Sequence, residues 1–259
     1  MGSYFAKETD LCAAFVAAVP EEWSVYPETG GFDLLLVRKA DGFQIGIEAK
    51  LRLNAKVITQ AAEGNSAWNV ASPGPDCRAV LIPAGVSLDF APVCALLGIT
   101  VIKVRDTAEA YGSAFDPRLP STDYDYYTRR WFERAPDSRI ELPDYVPDVI
   151  AGDSAPVALT PWKIKAIKLV VTMQKRGFVT RKDFRHFDLS MSRWIDPYAR
   201  WLVPGGAGWI AGPYLPDFEK QHPVNFGQIA ADYEKWKAPD PEVQTQFALP
   251  TENAERRTA

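Results

Sequence analysis

Three residues stand out for the chemistry they could do together: Asp33, Glu48 and Lys50, in the stretch FDLLLVRKADGFQIGIEAK. Two carboxylates held close together repel, and a hard cation such as Mg²⁺, or Mn²⁺ in its place, resolves the repulsion. An ion so held polarises a phosphoryl oxygen and makes water more acidic. An ammonium group beside it can orient the attacking water or stabilise the charge that develops on phosphorus-bound oxygens. The chemistry these residue types point to is hydrolysis of a phosphodiester.

Such a site needs elements that bring residues 15 positions apart onto one surface. Phe32–Lys39 and Phe43–Leu53 read as strands, and Asp41-Gly42 between them reads as a two-residue hairpin turn. Side chains alternate along a strand. With that turn, Asp33 stands opposite Lys50 and Leu35 opposite Glu48, so Asp33 and Glu48 are diagonal neighbours on one face. The other face collects Phe32, Leu34, Leu36, Ile45, Ile47 and Ala49 and should pack on a core. Around the hairpin, Lys7–Val19 has helical apolar spacing closed by Pro20, and Trp23–Pro27 fits a short strand. Asn54 can cap a helix through Lys56, Ile58 and Ala61. Ala79–Ile82 and Thr100–Val104 fit strands, with a helix through Val93 and Leu96 between them that ends at Gly98. Residues 1–106 therefore read as an α/β unit with the order helix, three strands, helix, strand, helix, strand.

Asp33 followed, after fourteen intervening residues, by Glu48-Ala49-Lys50 resembles the PD-(D/E)XK nuclease superfamily, and the element order is similar to its restriction-endonuclease-like core with a mixed central sheet. The resemblance covers roughly residues 5–105. It implies a Mg²⁺ or Mn²⁺ ion held by Asp33 and Glu48, Lys50 as the catalytic lysine, Glu8 on the first helix as an extra acidic ligand, and Gln60 as a polar helper. It implies DNA as the substrate; a single site cuts one strand, so double-strand cutting would suggest a homodimer or sequential nicks. Phe32 stands where the family pattern has proline. Asp33 and Lys50 also fit a solvated cross-strand ion pair with Glu48 as a surface residue; a further alternative is a nuclease-like fold that binds DNA or assembles without cutting it.

The rest of the chain differs in composition. Residues 107–159 hold ten acidic groups against five basic ones, with many Pro and Tyr, and read as a surface connector with a helix near Tyr124–Glu133. From Thr160 to Trp201 there are ten Lys or Arg against three Asp, in a chain whose formal net charge is −4. A mildly acidic protein with one concentrated basic segment can hold a polyanion there. Residues 160–237 resemble a winged helix: a helix over Lys163–Arg176 ended by Gly177, a capping box at Thr180–Asp183, a third helix over Ser192–Leu202 interrupted at Pro197, and a Gly-rich hairpin from Pro204. Arg181, Lys182, Arg185 and Arg193 are the expected DNA contacts, with Lys163, Lys165, Lys168, Ser190 and Ser192 as additions. The alternative role for this unit is that of a transcription regulator. Residues 238–259 read as a disordered tail.

Other chemistries find less support. His186 and His222 are the only histidines and have no partner cluster in sequence, which points to structural or exposed roles. Gly205-Gly206-Ala207-Gly208 is followed by no P-loop lysine. Cys12, Cys77 and Cys94 are widely spaced and odd in number, which argues against a disulfide framework or zinc site and for a reducing cytoplasm. The N-terminus lacks the basic region of a signal peptide, and no apolar run reaches the roughly 20 residues a membrane span needs, so no membrane partner is expected.

Overall fold

The computed structural model describes residues 5–63, 73–105, 113–122, 128–152 and 158–239. The chain divides into two compact units, Met1–Ile164 with Asp217–Ile229, and Lys165–Pro216 with Ala230–Ala259.

The first unit is built on a mixed six-stranded sheet in the order β1-β2-β3-β4-β5-β6. After α1 (Glu8–Ala18), β1 (Trp23–Thr29), β2 (Phe32–Arg38) and β3 (Gln44–Ala49) form an antiparallel meander. Helices α2 (Ala55–Ala62) and α3 (Ala91–Leu96) then carry the chain to β4 (Cys77–Pro83) and β5 (Ile99–Val104), both parallel to β3. The sequence-derived order of elements is the one observed. Asn54 caps α2 by accepting the Val57 N–H at 3.1 Å, and Gly98 ends the α3 segment at φ +63°.

Alternation along the strands sorts the core into two layers. Leu34, Leu36, Ile45, Ile47, Ala49, Ala79 and Leu81 pack with Leu11, Cys12 and Phe15 of α1. Val80, Ile82 and Ile99 pack with Val57, Ile58 and Ala61 of α2. Both faces are thus covered, as is usual where parallel strands are joined by helices. The face that carries Asp33 and Glu48 is buried along most of its length, because Leu35 and Val37 are buried like Leu34 and Leu36.

Two expectations about the hairpin need correction. The turn is not the two residues Asp41-Gly42 but the four residues 39–42. Arg38 N–H donates to the Phe43 carbonyl, and Gly42 N–H donates to that of Arg38, both at 2.8 Å. The Asp41 carboxylate holds this loop, pairing with the Arg38 guanidinium and accepting the Phe43 N–H. Gly42 takes the left-handed conformation the loop needs, at φ +72°. The register is therefore Leu34↔Ile47 and Leu35↔Gly46, displaced by two residues, and one step further sets Asp33 beside Glu48 rather than Lys50. A shift of two preserves which face each side chain occupies. The second correction concerns Phe32, which leaves the Leu34 and Leu36 face. Its ring lies over Gly46, where an added Cβ would meet ring carbons at 2.6–2.7 Å.

Residues 113–122 and 128–152, part of the stretch expected as a surface connector, are tied to the sheet. β6 (Phe115–Asp116) adds a sixth strand, antiparallel to β5. The Gln44 side chain donates to the Ile140 carbonyl at 2.8 Å and accepts its N–H at 2.9 Å, and buried Asp76 pairs with Arg139. Of the helix expected over Tyr124–Glu133, residues 124–127 lie outside the described residues, Thr128–Arg130 form one 3₁₀ turn, and 131–133 are not helical. Asp148 binds the start of α7 (Pro223–Ala231), which follows α6 (Phe218–Gln221). Neither short helix carries enough periodicity to be read from sequence.

The second unit contains most of α4 (Pro161–Arg176), α5 (Arg181–His186) and a two-stranded hairpin of β7 (Leu202–Pro204) and β8 (Trp209–Ala211). The Thr180–Asp183 capping box and the Gly177 stop, at φ +90°, are present. The third helix expected over Ser192–Leu202 is not. Pro197 removes an amide donor, the Asp196 carboxylate accepts the Tyr198 and Ala199 N–H groups in a local turn, and Arg200 takes a positive φ. α8 (Tyr233–Trp236) follows. The tail expected over 238–259 lies, from residue 240 on, outside the described residues. Among the described residues, no helix is long and apolar enough to cross a membrane.

Candidate active site

The C-terminal end of β3 is where ordinary sheet packing gives way to charge. In open α/β sheets this is the end at which sites form. Ile47 and Ala49 belong to the α1 layer, while Glu48 lies in register with Val80 of the α2 layer. Glu48 is 5% exposed. Among the described residues its carboxylate accepts no hydrogen bond and joins no ion pair. Burial, with the charge of Asp33 added, pushes its pKa up to about 8, and Lys50 opposes only part of this.

Asp33, second residue of β2, is half-buried and fixed, its Oδ2 accepting the Ala49 N–H at 2.7 Å. Burial raises its pKa against that hydrogen bond and the charge of Lys50. Lys50 stands one residue past β3, its N–H continuing the ladder to the Leu81 carbonyl at 2.9 Å. Its ammonium donates to Glu8 Oε2, at the start of α1, at 2.6 Å. Burial draws the Lys50 pKa down, but Glu8 and the charge of Asp33 outweigh it, so the ammonium form is favoured. Gln60, in the last turn of α2, has a buried Oε1 with no hydrogen-bond partner among the described residues.

The expected site residues Asp33, Glu48, Lys50 and Glu8 thus meet at one end of the sheet. Glu8, expected as an extra acidic ligand, pairs here with Lys50. Among the described residues, no group of three or more His, Cys, Asp or Glu is placed to hold a metal ion. Asp33 and Glu48 form a pair. Mg²⁺ is commonly held by one or two carboxylates, with water filling the remaining positions. A carboxylate with little exposure and no donor among the described residues, beside a second carboxylate, fits that donor set.

No protein-family model matches the chain, and no curated protein matches it.

Several supporting residues escaped the sequence reading. Arg78 lies opposite Gly46 on β4, is 6% exposed, and donates to the carbonyls of Ala61, at 2.9 Å, and Glu63 at the end of α2. Its guanidinium sits 5.3 Å from the centre of the Phe32 ring. A charged residue inside the apolar run Cys77–Pro83 was the available signal. Glu28 accepts the Gly152 N–H at 2.9 Å, and its charge adds to the upward push on Glu48. Cys12 behind the site is no nucleophile, because burial and then the charge of Asp33 raise its pKa to about 12.

In the second unit, Arg181, Lys182 and Arg185 are exposed on α5, and Arg193 is exposed with its guanidinium 5.0 Å from the centre of the Trp201 ring. Lys165 pairs with Asp188 at 2.7 Å, and the Ser190 and Ser192 hydroxyls hydrogen-bond each other at 3.0 Å. Lys163 belongs to the first unit and faces buried His222 at 3.3 Å, so it is not an open phosphate contact.

Proposed function

We propose that this chain is a metal-dependent nuclease of restriction-endonuclease-like fold that hydrolyses DNA phosphodiester bonds. The observation that carries the reading is Glu48: a carboxylate side chain 5% exposed at the end of a central strand, beside Asp33, with no donor among the described residues. Leaving such a group unpaired is costly, and buried polar groups in folded proteins are as a rule satisfied. Perturbed, uncompensated ionisable groups concentrate at functional sites.

In this reading Asp33 and Glu48 hold Mg²⁺ or Mn²⁺. The bound ion supplies Lewis acidity toward a phosphoryl oxygen and toward water. The Ala49 N–H fixes the Asp33 carboxylate and with it the ligand geometry. Lys50 places its ammonium against the charge that develops on the phosphate in the transition state, exchanging Glu8 for substrate. Gln60 offers its unpartnered amide oxygen to a water proton. Arg181, Lys182, Arg185 and Arg193 supply sequence-independent phosphate contacts. The hairpin of β7 and β8 corresponds to the wing of a winged helix that lacks its third helix.

The test is cleavage of supercoiled plasmid and of linear single- and double-stranded DNA with Mg²⁺, Mn²⁺ or EDTA. Glu48→Gln and Lys50→Ala should each lower the metal-dependent rate by roughly 10²-fold or more. Equal cutting by these variants removes the site. A second reading, a non-cleaving DNA-binding protein, draws on the Lys50–Glu8 pair, which ties up the lysine. Metal-independent DNA binding with no cutting by the wild type would favour it.

A further inference from the structure

Asp148, His222 and Lys163 form a chain of three titratable groups within the first unit. His222, between α6 and α7, is fully buried, with Nδ1 2.9 Å from Asp148 Oδ1 and Nε2 3.3 Å from Lys163 Nζ. Asp148 Oδ2 accepts the Val224 and Asn225 N–H groups at 2.8 and 3.1 Å. Pro161 opens α4 and puts Lys163 in its first turn, where the Lys163 N–H donates to Thr160 Oγ1 at 3.2 Å. The lysine is half-buried, so solvent reaches its amine. We propose that Lys163 is a reactive amine that condenses with small aldehydes, with His222 as the base that takes and returns its proton and Asp148 as the positioning residue.

What each group can donate sets the direction of the chain. A carboxylate only accepts, so the His222 proton sits on Nδ1 and faces Asp148. The Nε2 lone pair then faces Lys163, whose ammonium only donates. Passing one proton to Nε2 leaves a neutral amine and an imidazolium set against Asp148. A nucleophile, a base and a group that orients the base is the arrangement that activates side chains for covalent chemistry. At 3.3 Å the contact is loose, as such contacts often are before a substrate binds. Among the described residues no carboxylate pairs with Lys163, and His222, with Asp148 behind it, is the titratable group that faces the amine. Burial draws the Lys163 pKa below the ordinary lysine value. The first turn of a helix also disfavours a cation. In the reaction the amine nitrogen bonds to the aldehyde carbon, and the carbonyl π pair moves to oxygen, which takes a proton from that nitrogen. His222 returns its proton to this hydroxyl, which leaves as water, and a protonated imine remains. Condensation gives back the proton it removes, so one relay serves both steps and no oxidant or reductant is needed.

This site is independent of the nuclease reading, and its test uses the full wild-type chain without metal. Propionaldehyde with cyanoborohydride traps each imine as a stable alkyl-lysine, and peptide mass mapping compares all lysines in one sample. Each unit by which a lysine pKa falls raises its neutral fraction at pH 7 about tenfold. Lys163 should therefore be labelled about tenfold or more faster than exposed Lys39 and Lys56. Followed from about pH 6 to 10, its rate should level off at lower pH than theirs. In His222→Gln, with the fold checked by circular dichroism, labelling of Lys163 should fall toward the rate of Lys39. Burial alone would leave it fast in that variant. Labelling of Lys163 no faster than that of Lys39 and Lys56 in the wild type overturns the inference, whether or not the variant folds. So does undiminished labelling in a folded His222→Gln.

Discussion

Asp148 and Glu48 are both carboxylates withdrawn from water in the first unit, and the fold treats them in opposite ways. The Asp148 side chain is 8% exposed, with Oδ1 2.9 Å from His222 Nδ1 and Oδ2 accepting the Val224 and Asn225 N–H groups at 2.8 and 3.1 Å. It fastens residues 146–148 to the start of α7. Asp76 is buried too and as well served, by the Gln44 N–H and by Arg139. Glu48 has no donor among the described residues. A carboxylate that builds structure is saturated with donors, because each one offsets its desolvation. Glu48 has the burial without donors among the described residues, which is what the proposed site for an external charge requires and an internal fastening does not.

The largest test of this contrast is removal of a fastening. Asp148→Ala strands buried His222 and two backbone donors and should cost about 3–5 kcal/mol in urea unfolding. A cost below about 1 kcal/mol would erase the distinction between the two carboxylates.

Next comes pH. The folded-state pKa of Glu48 is raised from 4.5 to about 8, so the folded chain holds this proton more tightly than the unfolded chain. Its effect on metal-free stability is absent below about pH 4.5 and grows into a destabilisation as pH rises to about 8. Wild-type stability should therefore decline by a few kcal/mol across that window relative to Glu48→Gln. Parallel pH profiles for the two proteins would contradict the assignment.

A smaller effect is expected at Gly46. Gly46→Ala drives a methyl group into the Phe32 ring beside Asp33 and should cost about 1–3 kcal/mol, with weaker metal-dependent cleavage. Thermal unfolding and plasmid nicking measure the two. The smallest change is at Gln60. Because its Oε1 has no partner among the described residues, Gln60→Leu should alter metal-free stability by under about 1 kcal/mol while lowering cleavage. A large drop in stability there would mean that Gln60 is structural.

Local chemistry made much of this legible in the sequence. The Asn54 cap, the Thr180–Asp183 box, the Gly177 stop and the alternation from Ile45 to Ala49 depend on neighbours a few residues away, and each is present. The hairpin register was misjudged because Asp41 uses its carboxylate to close a four-residue loop, a competition between turn types that Asp-Gly alone does not settle. The apolar reverse of the site face was foreseen. The burial of Leu35 and Val37 was not, because it depends on layers contributed by distant segments. The same holds for residues 113–152, whose acidic, Pro-rich composition gave no hint that Gln44 and Asp76 wait to pair with Ile140 and Arg139. Asp33, Glu48 and Lys50 were readable from type and spacing. The pairing of Lys50 with Glu8, and the lack of a donor to Glu48 among the described residues, required the fold.

On the proposed reading, Glu48 is kept uncommitted for a cation. Calorimetric titration of the metal-free chain with Mg²⁺ or Mn²⁺ at pH 7, in two buffers of different ionisation enthalpy, counts the protons displaced. With a pKa of about 8, Glu48 is mostly protonated at pH 7 and must release its proton to take a metal. The expected result is release of about one proton per ion bound at pH 7, none near pH 10, and none from Glu48→Gln. Metal binding with no proton release at pH 7, or the same release from Glu48→Gln, would contradict it.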